Sequence, residues 1–221
     1  CHSPEALDHL AAEGIPADRA VLVGNTMIDS LFKLLPRARE SEIGEDLGVE
    51  SRGYVVVTLH RPSLVDDPAR LGAALQVLMD VADDLPVVFP MHPRTRERLG
   101  AAVPDKLRVT EPLGYLDFIA LLDQARLVIT DSGGVQEETS ALGVPCLTYR
   151  STTERPITIE RGTNRLVGVE PWALQEAAAA ALAAPVPEHA PEIPLWDGAA
   201  GPRAADAVAA FLAIQTERRT D

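Results

Sequence analysis

Short apolar runs alternate with amphipathic stretches along most of this chain. The β-branched run Tyr54-Val55-Val56-Val57-Thr58-Leu59 predicts a strand, as do Pro86-Val87-Val88-Phe89-Pro90, Leu107-Arg108-Val109, Arg126-Leu127-Val128-Ile129-Thr130, Val144-Pro145-Cys146-Leu147-Thr148-Tyr149 and Asn164-Arg165-Leu166-Val167. Between them, Leu71, Leu75, Leu78 and Val81 recur at helical spacing within 68–83. Further helices are expected over 94–102, over 115–124, after Gly134 as far as Gly143, and over the Ala-rich segment 171–184. Upstream, Ser3-Pro4-Glu5 reads as a helix start with Ser3 capping and Pro4 at the first helical position, and the helix should stop at Gly14. Residues 20–23 read as a short strand that turns through Gly24-Asn25-Thr26 into a helix over 27–35. The polar segment 36–52, with a short helix near 40–47, reads as a linker or the edge of a domain boundary. After a Pro-rich loop over 185–194, a last helix is expected over 202–216, with Ala207, Val208, Phe211 and Leu212 as its packing positions. Fully apolar strands alternating with helices imply a parallel sheet covered on both faces. The fold class is therefore α/β, a doubly wound, Rossmann-like parallel sheet whose ligands bind beyond the carboxyl ends of the strands.

The most informative strand end is Asp131-Ser132-Gly133-Gly134-Val135-Gln136-Glu137-Glu138. A strand that turns through Ser-Gly-Gly into a helix leaves backbone N–H groups free at the helix start, where the helix dipole favours an anion, most often a phosphate. The glycines let a ligand approach the backbone closely. Glu138 falls about one turn into the helix, within reach of a ribose hydroxyl. A nucleotide diphosphate fits this pattern; so does a plain strand–helix turn that uses Gly for backbone geometry. Three other strand ends carry cationic or hydrogen-bonding groups: His60-Arg61, Met91-His92-Pro93-Arg94, and Ser151-Thr152-Thr153-Glu154-Arg155-Pro156. Taken singly, His60 and His92 read equally as loop supports, Arg61 and Arg94 as solvated charges, and Glu154–Arg155 as a weak surface ion pair. Recurrence at successive strand ends favours one shared cleft.

Composition narrows the function classes. Formal net charge is −13 over 221 residues, which argues against nucleic acid as main partner while leaving room for a local basic pocket. No apolar run approaches the ~20 residues of a membrane helix, and no signal segment opens the chain. The cysteines are Cys1 and Cys146, the latter in an apolar run, which reads as a reduced core thiol and a cytoplasmic setting. His60 and His92 lie on different loops with no Cys cluster, so zinc is disfavoured and no metal site is expected. Neither a Gly-x-Ser-x-Gly elbow nor a Walker loop is present.

The combination of Gly24-Asn25-Thr26, Leu59-His60-Arg61, His92-Pro93, the 131–138 motif, Thr152-Thr153-Glu154-Arg155-Pro156, Gly162-Thr163-Asn164 and Trp196-Asp197-Gly198 resembles the non-hydrolysing UDP-N-acetylglucosamine 2-epimerases in order and spacing across nearly the whole chain. That resemblance implies a glycosyltransferase-B-like architecture with UDP between two Rossmann-like domains. Residues 1–35 would be a remnant of the first domain, 36–52 a linker, 53–198 the UDP-binding domain, and 199–221 a helix packing across to the first domain. It implies UDP-GlcNAc and UDP as ligands, no cofactor, a homodimer of the full-length protein, and a product destined for cell-envelope polysaccharide. The implied reaction is elimination and re-addition of UDP, with the acid–base carboxylates largely in the first domain. Carried over by residue, Ser132, Gly133 and Gly134 donate to the diphosphate, Glu138 accepts from the ribose, and Phe118 lies along the uracil. His60 touches the phosphates and assists departure, Arg61 and Arg155 help bind the nucleotide, and His92 belongs to a regulatory UDP-sugar site of some members.

The chain departs from the family after His60-Arg61, where Pro62-Ser63 stands in place of an acidic residue and Asn. It begins with Cys1 and enters what reads as the middle of a fold, which predicts a fragment, a processed chain or a chain with a further amino-terminal part. Activity of this chain alone is therefore doubtful, and a nucleotide-binding module or a glycosyltransferase of the same architecture is the alternative reading.

Overall fold

In a computed structural model, which describes residues 1–100 and 103–220, the chain runs through helices α1 (Pro4–Ala12), α2 (Thr26–Ala38) and α3 (Ile43–Asp46) before the first strand, β1 (Val55–Thr58). It continues α4 (Pro62–Val65), α5 (Pro68–Val81), β2 (Val87–Pro90), α6 (Pro93–Leu99), β3 (Arg108–Thr110), α7 (Tyr115–Gln124), β4 (Leu127–Thr130), α8 (Gly133–Leu142), β5 (Cys146–Thr148), α9 (Pro156–Glu160), β6 (Asn164–Leu166), α10 (Pro171–Ala183) and α11 (Ala200–Thr220). The expected end of the sixth helix at Ala102 lies outside the described residues.

All six strands pair in parallel, in the order β3-β2-β1-β4-β5-β6. Val55, Val56 and Val57 are all fully buried, as are Leu127, Val128 and Ile129. Burial on both faces explains why these strands read as continuous apolar runs rather than alternating ones. On one face Val55, Val57, Phe89 and Leu147 form a core with Leu71, Leu75 and Leu78 of α5 and Leu174, Ala177 and Ala178 of α10. From β1 the order grows through β2 to β3; from β4 it grows the other way through β5 to β6. The reversal between β1 and β4 opens a crevice at their carboxyl ends, the topological switch point of a doubly wound sheet.

The chain divides into two compact units, Cys1–Leu34 with Glu192–Asp221, and Leu35–Pro191. In the first, Asp29 of α2 accepts hydrogen bonds from Ala200 N (3.0 Å) and Gly201 N (2.6 Å), capping the head of α11. Gly24, at φ +92°, lies so close to the Leu195 carbonyl that a β-carbon would overlap it. The Gly24-Asn25-Thr26 and Trp196-Asp197-Gly198 motifs thus belong to one corner of this unit. Val208, Phe211 and Leu212 of α11 are 58%, 59% and 57% exposed.

Several local expectations change. Residues 20–23 form no ladder: Cys1 N donates to Val21 O, and Val23 N and Gly24 N donate to Cys1 O, so the pairing stops at one residue. Ser3 makes no side-chain cap to α1. Helix α2 runs on through Pro36 to Ala38, because a proline near the helix end disturbs few backbone bonds. The one-turn helices α4 and α9 were not anticipated; both begin at prolines, Pro62 and Pro156. No helix among the described residues is long and apolar enough to cross a membrane.

Candidate functional site

At the switch point the buried Asp131 organises the loop that leaves β1. Its carboxylate accepts from His60 N (2.9 Å) and Arg61 N (2.8 Å), and the His60 ring places Nδ1 2.8 Å from Oδ1. This contact with the buried Asp131 carboxylate fixes the orientation of the His60 ring. Thr58 and Thr130, the last residues of β1 and β4, join through their hydroxyls at 2.6 Å. Thr130 Oγ1 also accepts from Ser132 N (2.9 Å), which fixes the start of the turn.

Ser132 caps α8 by position only. Its backbone is extended (φ −87°, ψ 135°) and its side chain makes no capping bond. The first-turn amides of α8, from Gly133 onward, therefore lack the usual side-chain acceptor. A β-carbon at Gly133 would meet no atom within 4 Å, so the approach to this backbone is open. Gly134 follows inside the first turn.

A cavity of about 250 Å³ runs from His60 and Ser132 past His92 to Phe118, Pro112 and Leu113. The structure thus brings together His60, His92, Phe118 and Ser132 from four separate segments. The His60 and His92 rings lie 5.7 Å apart, and His92 Nδ1 caps α6 by accepting from Arg94 N (3.1 Å). Arg61 goes elsewhere. Its Nε donates to the Asp131 carbonyl (2.9 Å), and it lines a second cavity of about 460 Å³ with Arg70, Arg150, Ser151 and Thr152. His60 and Arg61, in the loop between β1 and α4, thus serve different spaces. In the second cavity Arg150 grips Glu154 through two bonds (2.7 and 2.8 Å), which hold the Glu154 carboxyl down at about 2.

Helix α8 carries five consecutive buried polar side chains, Gln136, Glu137, Glu138, Thr139 and Ser140. Glu138 is 5% exposed, and burial pushes its carboxyl up to about 7; the Tyr115 hydroxyl, donating to Oε1 at 3.0 Å, opposes that rise, and the Glu137 charge adds to it. Glu137 pairs with Arg155 Nε at 3.0 Å, so the Arg155 guanidinium lies against α8. Asp131, Tyr115 and Gln136 are the site residues that sequence reading did not single out. Asp131 and Gln136 sat inside the quoted motif, but their partners lie many residues away.

Among the described residues no group of three His, Cys, Asp or Glu side chains is placed to hold a metal ion. Both cysteines are free, and burial pushes the Cys146 thiol up to about 12.

Comparison with known proteins adds an independent line. A family model described as UDP-N-acetylglucosamine 2-epimerase matches residues 1–209. A Ralstonia nicotianae protein named "Probable UDP-N-acetylglucosamine 2-epimerase" is 38% identical over 220 residues, covering 93% of this chain and 59% of the relative. A Pseudomonas aeruginosa UDP-2,3-diacetamido-2,3-dideoxy-D-glucuronate 2-epimerase is 39% identical over 189 residues, covering 82% of this chain and 51% of the relative. The crystal structure of Methanocaldococcus jannaschii UDP-GlcNAc 2-epimerase in complex with UDP-GlcNAc and UDP superposes with a TM-score of 0.84 at 34% identity, over 94% of this chain and 59% of that one. The chain thus spans between half and three-fifths of the length of these relatives.

Proposed function

Because the chain belongs to the UDP-N-acetylglucosamine 2-epimerase family, we propose that it is the UDP-binding part of an enzyme that interconverts UDP-GlcNAc and UDP-ManNAc. The observation that carries this reading is the head of α8, uncapped by Ser132 and open at Gly133, beside a histidine whose Nδ1 is held by buried Asp131. Backbone N–H groups and the helix dipole suit a diphosphate there. The diphosphate gains negative charge as the glycosidic C–O bond breaks, and donors set where that charge develops lower the barrier. In this reading His60 and the amides of Gly133 and Gly134 contact the leaving group. Phe118 flanks the base, Glu138 accepts from the ribose, and Arg155 helps to hold the nucleotide. Arg61 acts from the far side of Asp131, supporting the loop that carries His60. His92, across the cavity from His60, is suited to a second UDP-sugar.

Residues 1–35 are read as the end of a first Rossmann-like domain, 36–52 as a linker, 53–198 as the UDP-binding domain and 199–221 as a helix returning to the first domain. The exposed Val208 and Phe211 suit such a helix. The carboxylates that move the C2 proton are assigned to the part of the relatives' length that this chain does not span. The 221-residue chain is then a nucleotide-binding module without turnover of its own. The full-length enzyme is read as a cytoplasmic homodimer.

Calorimetric titration with UDP, with UMP and ADP as controls, tests the reading. Selective binding of UDP supports it; a folded chain indifferent to UDP removes the half-site. Incubation with UDP-GlcNAc and no acceptor separates the readings further: epimerisation by the full-length protein needs no acceptor, whereas sugar transfer does.

A further inference from the structure

Three motifs that are far apart in sequence meet in one buried hydrogen-bond network behind the head of α8. Gln136, fully buried, donates from Nε2 to the Ser132 carbonyl (3.1 Å). Its Oε1 accepts from the Thr153 hydroxyl (2.6 Å) and from Asn164 Nδ2 (3.2 Å). With its hydroxyl proton given to Gln136, Thr153 Oγ1 accepts from Arg155 N at 3.0 Å. Every donor and acceptor in this chain has a defined direction. The Gln136 amide cannot flip without setting its NH2 against the Asn164 NH2 and its oxygen against the Ser132 carbonyl. Arg155 is thereby held at two points, its backbone by Thr153 and its guanidinium by Glu137, one residue along the helix from Gln136. A network of directed hydrogen bonds around a fully buried Gln136 favours a single geometry, and one missing member leaves its partners unpaired.

We propose that Thr153 and Gln136 are positioning residues that lock the Arg155 loop to the Ser132 turn, so that both meet a nucleoside diphosphate as one preformed surface. The role rests on the reading of α8 as the nucleotide site and adds to it the residues that set its geometry. Neither side chain needs to touch the ligand. Their contribution is to remove the loop motion that binding would otherwise have to freeze.

The test is UDP affinity of the 221-residue chain by calorimetry, with thermal unfolding measured in parallel. Thr153→Val and, as a second route to the same loss, Thr153→Ala remove the hydroxyl; Thr153→Ser keeps it. We expect about 5- to 20-fold weaker UDP binding for the first two, by analogy with the loss of one buried hydrogen bond, and recovery to within about twofold for Thr153→Ser. In an Arg155→Ala background, Thr153→Val should cost little more, because coupled residues are non-additive. A general loosening of the fold would instead give the same loss in both backgrounds and would overturn the proposal. So would wild-type affinity in Thr153→Val while Glu138→Ala still loses binding; the nucleotide site would then stand and the positioning role fall. If the wild-type chain takes UDP no better than ADP, the underlying site assignment fails and the positioning role fails with it.

Discussion

Helices α8 and α10 both lie against β5, yet they bury opposite kinds of residue. In α10 the buried positions are Leu174, Ala177 and Ala178, and all three join the core that includes Leu147 of β5. In α8 they are Val135, Gln136, Glu137, Glu138, Thr139 and Ser140, five of them polar. The strand serves both: Leu147 faces the apolar core, while the neighbouring Thr148 hydroxyl donates to Asn164 Oδ1 (2.7 Å) and so joins the network of Gln136. Burial of a Leu stabilises in proportion to the apolar area removed from water. Burial of a carboxylate opposes folding unless its charge is matched. A fold that keeps Glu137 and Glu138 at 1% and 5% exposure therefore sacrifices stability along α8 that it recovers along α10. In the proposed reading the α8 face is shaped for a ligand, while the α10 face packs the apolar core of the sheet.

The largest effects should separate the two faces. Leu174→Ala is expected to cost roughly 2–5 kcal/mol of stability and to leave the UDP affinity of the folded chain unchanged, measured by denaturant unfolding and by calorimetry at a temperature where the variant is still folded. Glu138→Ala should do the reverse, weakening UDP by about 1–3 kcal/mol with unfolding midpoint equal to or above wild type. A shared loss of affinity and stability in either variant would erase the distinction between a ligand face and a structural face.

The next effect is a pH dependence confined to α8. The Glu138 carboxyl, normally near 4.5, is raised to about 7 in the folded chain. Between these values the folded state holds a proton that the unfolded chain has released. Stability from this group is therefore fully present below pH 4.5 and is lost as pH rises through 7. The groups that bear on it are Glu137, itself paired with Arg155, and the Tyr115 hydroxyl. Glu138→Gln cannot ionise. It should unfold at the same temperature as wild type near pH 4 and at a higher one at pH 8, by an increment worth up to about 3 kcal/mol. Equal midpoints at both pH values would mean that Glu138 is not raised.

Much of the sheet was legible because its strands are short, apolar and punctuated by Gly and Pro: α7 spans the predicted residues, and β1, β2 and β4 lie inside predicted runs. The family resemblance was legible for a similar reason, since several of its motifs, His60-Arg61, His92-Pro93 and the 131–138 run, follow strands directly. What could not be read were relations between segments. Sequence adjacency grouped His60 with Arg61, but the Arg61 side chain bonds the Asp131 carbonyl and lines a different cavity. Asp131 was visible only as the first residue of a turn, although its carboxylate holds the backbone of a loop about 70 residues earlier. Tyr115 looked like an ordinary helix start, because nothing in its neighbourhood reveals that Glu138 lies across from it. Residues 20–23 have strand-like composition, but among the described residues Cys1 alone pairs its backbone with theirs, too little to make a ladder.

The smallest effect sharpens the comparison most, because its sign separates two accounts of the same contact. Tyr115 is 41% exposed, and its hydroxyl donates to Glu138 Oε1 at 3.0 Å. If that bond holds the carboxylate in the orientation a ribose needs, Tyr115→Phe loses about 0.5–1.5 kcal/mol of UDP affinity. It also lets the Glu138 carboxyl rise further, since the lost donor favoured the charged form. The variant should then be less stable than wild type at pH 8 and equal to it at pH 5. If the hydroxyl merely occupies the carboxylate until the ribose displaces it, removing it would tighten UDP binding instead. The first outcome is expected. Among the described residues the Tyr115 hydroxyl is the donor that offsets the burial of Glu138, and a buried carboxylate with a directing donor is more useful to a ligand than one left to turn away from it.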